Sequence, residues 1–202
     1  MARVRRRKGV ISRKRLIICV CGLAGSGKST LARKLAETYR LRYYSGGDAL
    51  KALALEEGYT NVEQGWWEGE EGMRFLRERN RDHSLDKMMD QKLLELGQKG
   101  NVVLDSWTMP WLLSEGFKIW LEASSENRAR RIAVRDRISV EKALEALRTK
   151  EEQTRRIYRE LYGFDLGEDL KPFHLILDTD NLTADDVFRT LCLIIDNHVL
   201  RS

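Results

Sequence analysis

The segment from Leu16 to Thr30, LIICVCGLAGSGKST, constrains the fold of this chain more than any other. Leu16 to Cys21 is a continuous apolar run closed by glycine, the pattern of a strand buried on both faces in a parallel sheet. Gly22 and Gly27 enclose four residues and are followed by Lys28 and Ser29, the G-x-x-x-x-G-K-[ST] spacing. Leu31, Leu35 and Ala36 then line one face of a helix to about Tyr39. Glycines let successive backbone N–H groups converge on phosphate oxygens, and the helix that follows adds the positive end of its dipole. On this reading Lys28 reaches the β and γ phosphates of a nucleoside triphosphate, the Ser29 hydroxyl holds Mg²⁺, and Thr30 adds a hydroxyl near the α phosphate.

The remaining text alternates in the same way. Strands are predicted at residues 41–44, 101–105, 117–121 and 173–177, separated by helical segments at 48–57, within 63–98, at 125–135, at 139–162 and at 183–198. Ser139 is positioned to cap the longest of these. Strands separated by helices imply an α/β fold with a parallel five-stranded sheet covered on both faces. At 202 residues one core is expected, and 42% hydrophobic with 33% charged residues excludes fibrous and globally disordered classes. Three cysteines make no disulfide framework, which points to a reducing compartment such as the cytoplasm. No apolar run approaches the roughly 18 residues of a membrane span. The net charge of +5 is local: residues 1–15 carry eight basic residues and no acid, and the other 28 basic residues are outnumbered by 31 acids. This arm reads either as a solubilising tail or as a contact for RNA, the ribosome or another polyanion.

A phosphate loop specifies the donor and leaves the acceptor open. Asp105 closes the third strand, where a carboxylate orients Mg²⁺, faces a substrate, or merely terminates the strand at a turn. Asp48, in a glycine-rich turn, either caps the next helix or approaches the acceptor. For a hydroxyl acceptor, Asp48 or Asp105 would be the base; a phosphate monoester needs none. Arg128, Arg131 and Arg135 share one helical face, a suitable array for a phosphoryl group in transfer, or else a solvated surface. Lys150, Arg155 and Arg156 form a second basic set. Trp120 is expected in the core, whereas Trp107 and Trp111 follow the third strand and would wall a base pocket, with core packing the alternative for Trp111. The histidines, His83, His174 and His198, mark no chemistry.

Five motifs in order give the chain its resemblance: Gly22 to Thr30, Ser45-Gly46-Gly47-Asp48, Asp86 to Asp90, Glu126 to Arg135, and Tyr158 to Asp165. Residues 16–198 resemble nucleoside monophosphate kinases, most closely the short archaeal type of cytidylate kinase. The resemblance implies the P-loop nucleoside-triphosphate-hydrolase fold, ATP and Mg²⁺ as donor, and CMP or dCMP as acceptor. It adds Gly25 and Ser26 to the donor loop, and Ser45, Asp48, Asp90 and Lys150 to the acceptor side, where the residues themselves also place Trp107. It also implies an acceptor-binding helical insertion near 48–98 and a mobile lid near 128–137 bearing Arg128, Arg131 and Arg135 as catalytic arginines. The departures lie on the acceptor side. Trp107 stands where the family has an arginine, Thr154 replaces a carboxylate, and Ile157 replaces a second arginine, with Arg155 or Arg156 as compensating candidates. A tryptophan offers no forked donor to a phosphate.

The expectation is therefore a kinase domain of residues 16–202 behind a basic arm of residues 1–15. Its expected chemistry uses Lys28, Arg128, Arg131 and Arg135 with a metal at Ser29 and Asp105. A free nucleotide is the expected substrate, with no membrane association and a monomeric or homodimeric state. The alternatives are a P-loop kinase acting on another nucleotide or an RNA end, and an RNA- or ribosome-associated ATP-binding switch.

Overall fold

The computed structural model describes residues 15–200 apart from residues 61 and 64, so the basic arm lies, save for Arg15, outside the described residues. Five strands, β1 (Ile17–Cys21), β2 (Arg42–Ser45), β3 (Val102–Asp105), β4 (Phe117–Glu122) and β5 (Leu175–Asp178), form one parallel sheet in the order β2-β3-β1-β4-β5. Every residue of β1 is buried, as expected for a central strand covered on both faces.

The alternation along β1 sorts the two cores. Ile18 and Val20 pack with Leu31 and Leu35 of α1 (Lys28–Tyr39) and with Val187 and Leu191 of α8 (Ala184–Ile194). Ile17 and Cys19 face the opposite way, toward Leu50 of α2 (Gly46–Glu56), Met89 and Leu93 of α4 (Ser84–Gln98), and Met109 of the single-turn α5 (Met109–Leu112). Between α2 and α4 lie a 3-10 turn (Trp66–Glu68) and α3 (Glu70–Arg79). After β4 come α6 (Ser125–Asp136) and the long α7 (Val140–Tyr162), which pack against each other. No described helix is long and apolar enough to cross a membrane.

Several ends differ from their sequence expectation for local reasons. Helix α2 begins at Gly46 because the Ser45 hydroxyl accepts the Asp48 N–H at 3.1 Å; Ser45, not Asp48, is its cap. Helix α5 has Pro110 in its first turn and is too short to leave a periodic signal. Strand β5 starts at Leu175, since Phe173 turns its ring toward Trp120 and Trp111 instead. Ser139 caps α7 by accepting the Lys142 N–H.

The connection order reverses at β1, which sits between β3 and β4. In such sheets ligands bind beyond the carboxyl ends of the strands at this reversal. The register aligns Val20, Asp105 and Ser45 in one row across β1, β3 and β2, just where the glycine loop leaves the sheet.

Candidate active site

A cleft of about 460 Å³ opens at that edge. The glycine loop and start of α1 supply Gly25, Gly27, Lys28, Ser29 and Thr30, and the β2–α2 turn supplies Ser45 to Asp48. Asp105, Ser106 and Trp107 enter from β3, Arg131 and Arg135 from α6, and Lys150, Thr154 and Tyr158 from α7.

The loop is built for close approach. Gly25 adopts φ 82°, and a Cβ there would lie 2.8 Å from the Arg128 carbonyl oxygen. Gly27 precedes α1 in a left-handed conformation, and no side chain caps the helix, so the first-turn N–H groups have no side-chain acceptor among the described residues. The Ser26 hydroxyl is buried with no hydrogen-bond partner there. Gly22 lines no part of the cleft; its carbonyl accepts the Trp107 indole N–H at 2.6 Å. The same indole ring lies 5.4 Å from Lys28 Nζ. Trp107 thus braces the loop and shelves its lysine. Asp105 is buried and accepts the Tyr43 hydroxyl at 3.1 Å while still bordering the cleft.

The α6 arginines separate into two roles. Of the three arginines expected on the reacting group, Arg128 does not line the cleft. Its buried guanidinium donates to the carbonyls of Ala24 and Ala123, each at 3.1 Å, and pairs with Glu151. Arg131 does border the cleft, donating to the Thr179 carbonyl at 3.0 Å and approaching the Gly25 carbonyl at 3.4 Å. Arg135 also borders it, held by Asp136 and, at 3.2 Å, by Glu68. Both project from a packed helix, because residues 128–136 belong to α6 and Arg137 is its C-cap.

Lys150 is 8% exposed, lies 4.9 Å from the Trp67 ring centroid and 5.9 Å from that of Trp107, and shares Glu68 with Arg135. Burial lowers its ammonium to about 8, with the Lys28 charge acting in the same direction and Glu68 opposing.

Asp90, expected on the acceptor side, does not line the cleft. It is buried behind it, accepting hydrogen bonds from Thr108 at 2.5 Å and Tyr162 at 2.8 Å, and burial raises its carboxyl to about 6. Asp48 borders the cleft but is exposed and pairs with Arg33 at 2.7 Å. Trp111 stacks on Phe164 at 4.0 Å between centroids, so the core alternative holds for it. Ile157 is fully buried, and neither neighbouring arginine compensates at the cleft: Arg155 donates to the Leu166 carbonyl and Arg156 pairs with Glu160.

The sequence does not mark Arg79, Lys51 or Glu68, and it marks Trp67 only as one of five tryptophans, yet all border the cleft. Arg79 is 4% exposed and is gripped by Asp86 through two hydrogen bonds, one of them 3.0 Å long. Within the arginine-rich run from Arg74 to Arg81, nothing local separates it from solvated neighbours.

The cytidylate kinase-like family model matches residues 17–181. The chain belongs to that family. It is therefore an enzyme of phosphoryl transfer, and its parallel five-stranded sheet flanked by helices is the P-loop kinase-like fold. It is 36% identical over 176 residues to a cytidylate kinase of Pyrobaculum islandicum, covering 86% of this chain and 89% of that protein. Identity to a cytidylate kinase of Pyrococcus horikoshii is 34% over 184 residues, covering 91% and 90%. Among solved structures, shikimate kinase from Acinetobacter baumannii in complex with shikimate superposes with a TM-score of 0.55 at 20% identity, over 93% of this chain and 97% of that one. Deoxyadenosine kinase from M. mycoides with bound dATP gives 0.53 at 14% identity, over 90% and 100%. These two are similar to the family member in fold alone.

Proposed function

We propose that this family member transfers the γ phosphate of ATP to a nucleoside monophosphate, with CMP or dCMP the first candidates. One observation carries the reading: the loop lysine Lys28 and the hydroxyl of Ser29 share a single cleft with Asp105, Arg131, Arg135 and Lys150. The kinship to enzymes named cytidylate kinase supports the choice of acceptor.

The loop fits an ATP phosphate tail, because it offers an orphaned Ser26 hydroxyl, the open N-terminus of α1 and glycines where a Cβ would obstruct. Among the described residues no cluster of three or more His, Cys, Asp or Glu side chains forms a metal cage. Ser29 and Asp105 are nevertheless hard oxygen donors on one wall, the type of partial set that holds Mg²⁺ jointly with phosphates. Bound ATP·Mg²⁺ would supply the phosphoryl group and neutralise charge on its oxygens. Lys28 positions the terminal phosphates, while Arg131, Arg135 and Lys150 present cationic donors to charge that develops during transfer. The ionised oxygen of a monophosphate attacks without a protein base.

A second reading, transfer to another acceptor such as a hydroxyl, draws on the acceptor wall. Trp107 replaces a forked donor, Arg79 is committed to Asp86, and Asp105 borders the same cleft as the loop, where a carboxylate could serve as base. Incubation with ATP·Mg²⁺ bearing a labelled γ phosphate and each of CMP, dCMP, UMP, AMP, GMP, dTMP and a short RNA separates the readings. Label in CDP or dCDP is the expected result. Label only in the RNA, or ATP hydrolysis with no labelled acceptor, would reject the nucleotide kinase.

Lys150 makes the reaction pH-dependent. Its ammonium loses a proton as pH rises through about 8, so the KM for a phosphate-bearing substrate is expected to rise severalfold between pH 7 and 9.5. Lys150→Arg keeps its charge and should flatten that limb. Fold stability moves in the other direction: Lys150 is neutral in the folded state from about 8 while its unfolded counterpart stays charged to 10.5, so this group's effect is to raise stability over that window. A wild-type KM that stays level to pH 9.5 would remove Lys150 from the substrate site.

A further inference from the structure

Helix α7 carries a second concavity on the face turned away from Lys150 and Thr154. This groove, about 830 Å³, lies where α3 packs against α7 and is bordered by Arg77, Arg81, Arg148, Arg155, Arg156 and Arg159. Its other lining residues are Asn80, Gln153 and three glutamates, so no apolar or aromatic side chain takes part. We propose that it binds the phosphodiester backbone of a nucleic acid, independently of the phosphoryl-transfer cleft.

Three features select that ligand. The Arg77, Arg81 and Arg148 side chains are exposed and make no hydrogen bond or ion pair among the described residues, so their forked donors are available for phosphate oxygens. The other three are held in place, Arg155 by the Leu166 carbonyl and by Glu168 of the groove itself, Arg156 by Glu160, and Arg159 by Asp165. Protein interfaces bury an apolar centre, which this groove does not have. A strand of phosphates, by contrast, requires spaced cations and little else. Without an aromatic platform the groove reads backbone and not bases, so binding is expected to be indifferent to sequence.

The test is fluorescence anisotropy of the full chain with short labelled RNA and DNA duplexes across a salt series. Arg77→Ala/Arg81→Ala/Arg148→Ala should bind at least about tenfold more weakly at low salt, with a salt slope shallower by about one per arginine. Because these side chains are exposed, the variant should melt at the wild-type temperature; should it not, Arg148→Glu alone gives the same readout. Either duplex binding through these arginines supports the proposal, and a preference between them identifies the sugar. Deletion of residues 1–14 should leave binding that the triple substitution still weakens. Affinity unchanged in the triple variant, binding lost entirely with the arm, or a polyglutamate peptide bound as tightly as the duplexes would each overturn it.

Discussion

Lys28→Met should cut phosphoryl transfer by about a hundredfold to a thousandfold, the cost of removing one aimed donor from a site of developing charge. The substitution isolates chemistry from folding. Lys28 opens α1, its Nζ lies 5.4 Å above the Trp107 ring, and no hydrogen bond or ion pair within the described residues depends on it. Methionine matches its length and helix propensity, and its thioether can lie on the same indole. The melting temperature should therefore move little while transfer of labelled γ phosphate falls by that factor. ATP binding should weaken as well, since the lysine neutralises phosphate charge before the transfer begins. Normal turnover in Lys28→Met would show that the glycine loop does not hold the donor, and with it the assignment of the whole cleft would fail.

The contrast between this lysine and the other cleft residues shows what a sequence exposes. Lys28, Gly25 and Gly27 are legible because the strand, the loop and the helix are contiguous, and local backbone geometry dictates their types. The parallel sheet is legible for a similar reason: β1 is buried on both faces and reads as an unbroken apolar run. The side chains of α6 and α4 are different. Arg128 and Arg131 are three residues apart on one face, yet Arg128 is taken by Glu151, a residue of another helix, and by two carbonyls. Asp90 belongs to a recognisable motif, but Thr108 and Tyr162, distant in sequence, turn it inward. A periodic pattern gives the face of a helix and not the partner that meets it. Trp107 illustrates the same limit from the other side. Its position after β3 is plain in the sequence, whereas its hydrogen bond to Gly22 across the loop exists only in the fold.

Asp86→Ala is expected to be the most destabilising single change at the site, by about 3–5 kcal/mol. Asp86 is fully buried and Arg79 is 4% exposed, and the two are joined by a forked pair of hydrogen bonds between α3 and α4. Removing the carboxylate leaves a guanidinium desolvated and without its counter-charge, which costs far more than the intact pair contributes. For a chain of this size the melting temperature should fall by on the order of 10 °C. Asp86→Asn should fall between, because its amide oxygen still accepts from Arg79 but carries no charge. Replacing both partners by apolar residues, as in Arg79→Met/Asp86→Leu, should recover most of the stability, since neither member of the pair is then left charged without the other. That double variant also separates support from recognition: Arg79 borders the cleft, so its loss should raise the KM for the acceptor even where the fold is restored. Urea unfolding at neutral pH and acceptor titrations on the four proteins measure the two effects separately. If Asp86→Ala unfolded at the wild-type midpoint, the pair would not be the clamp that joins α3 to α4. If the double variant kept the wild-type KM, Arg79 would be a strut of the cleft wall with no part in holding the acceptor.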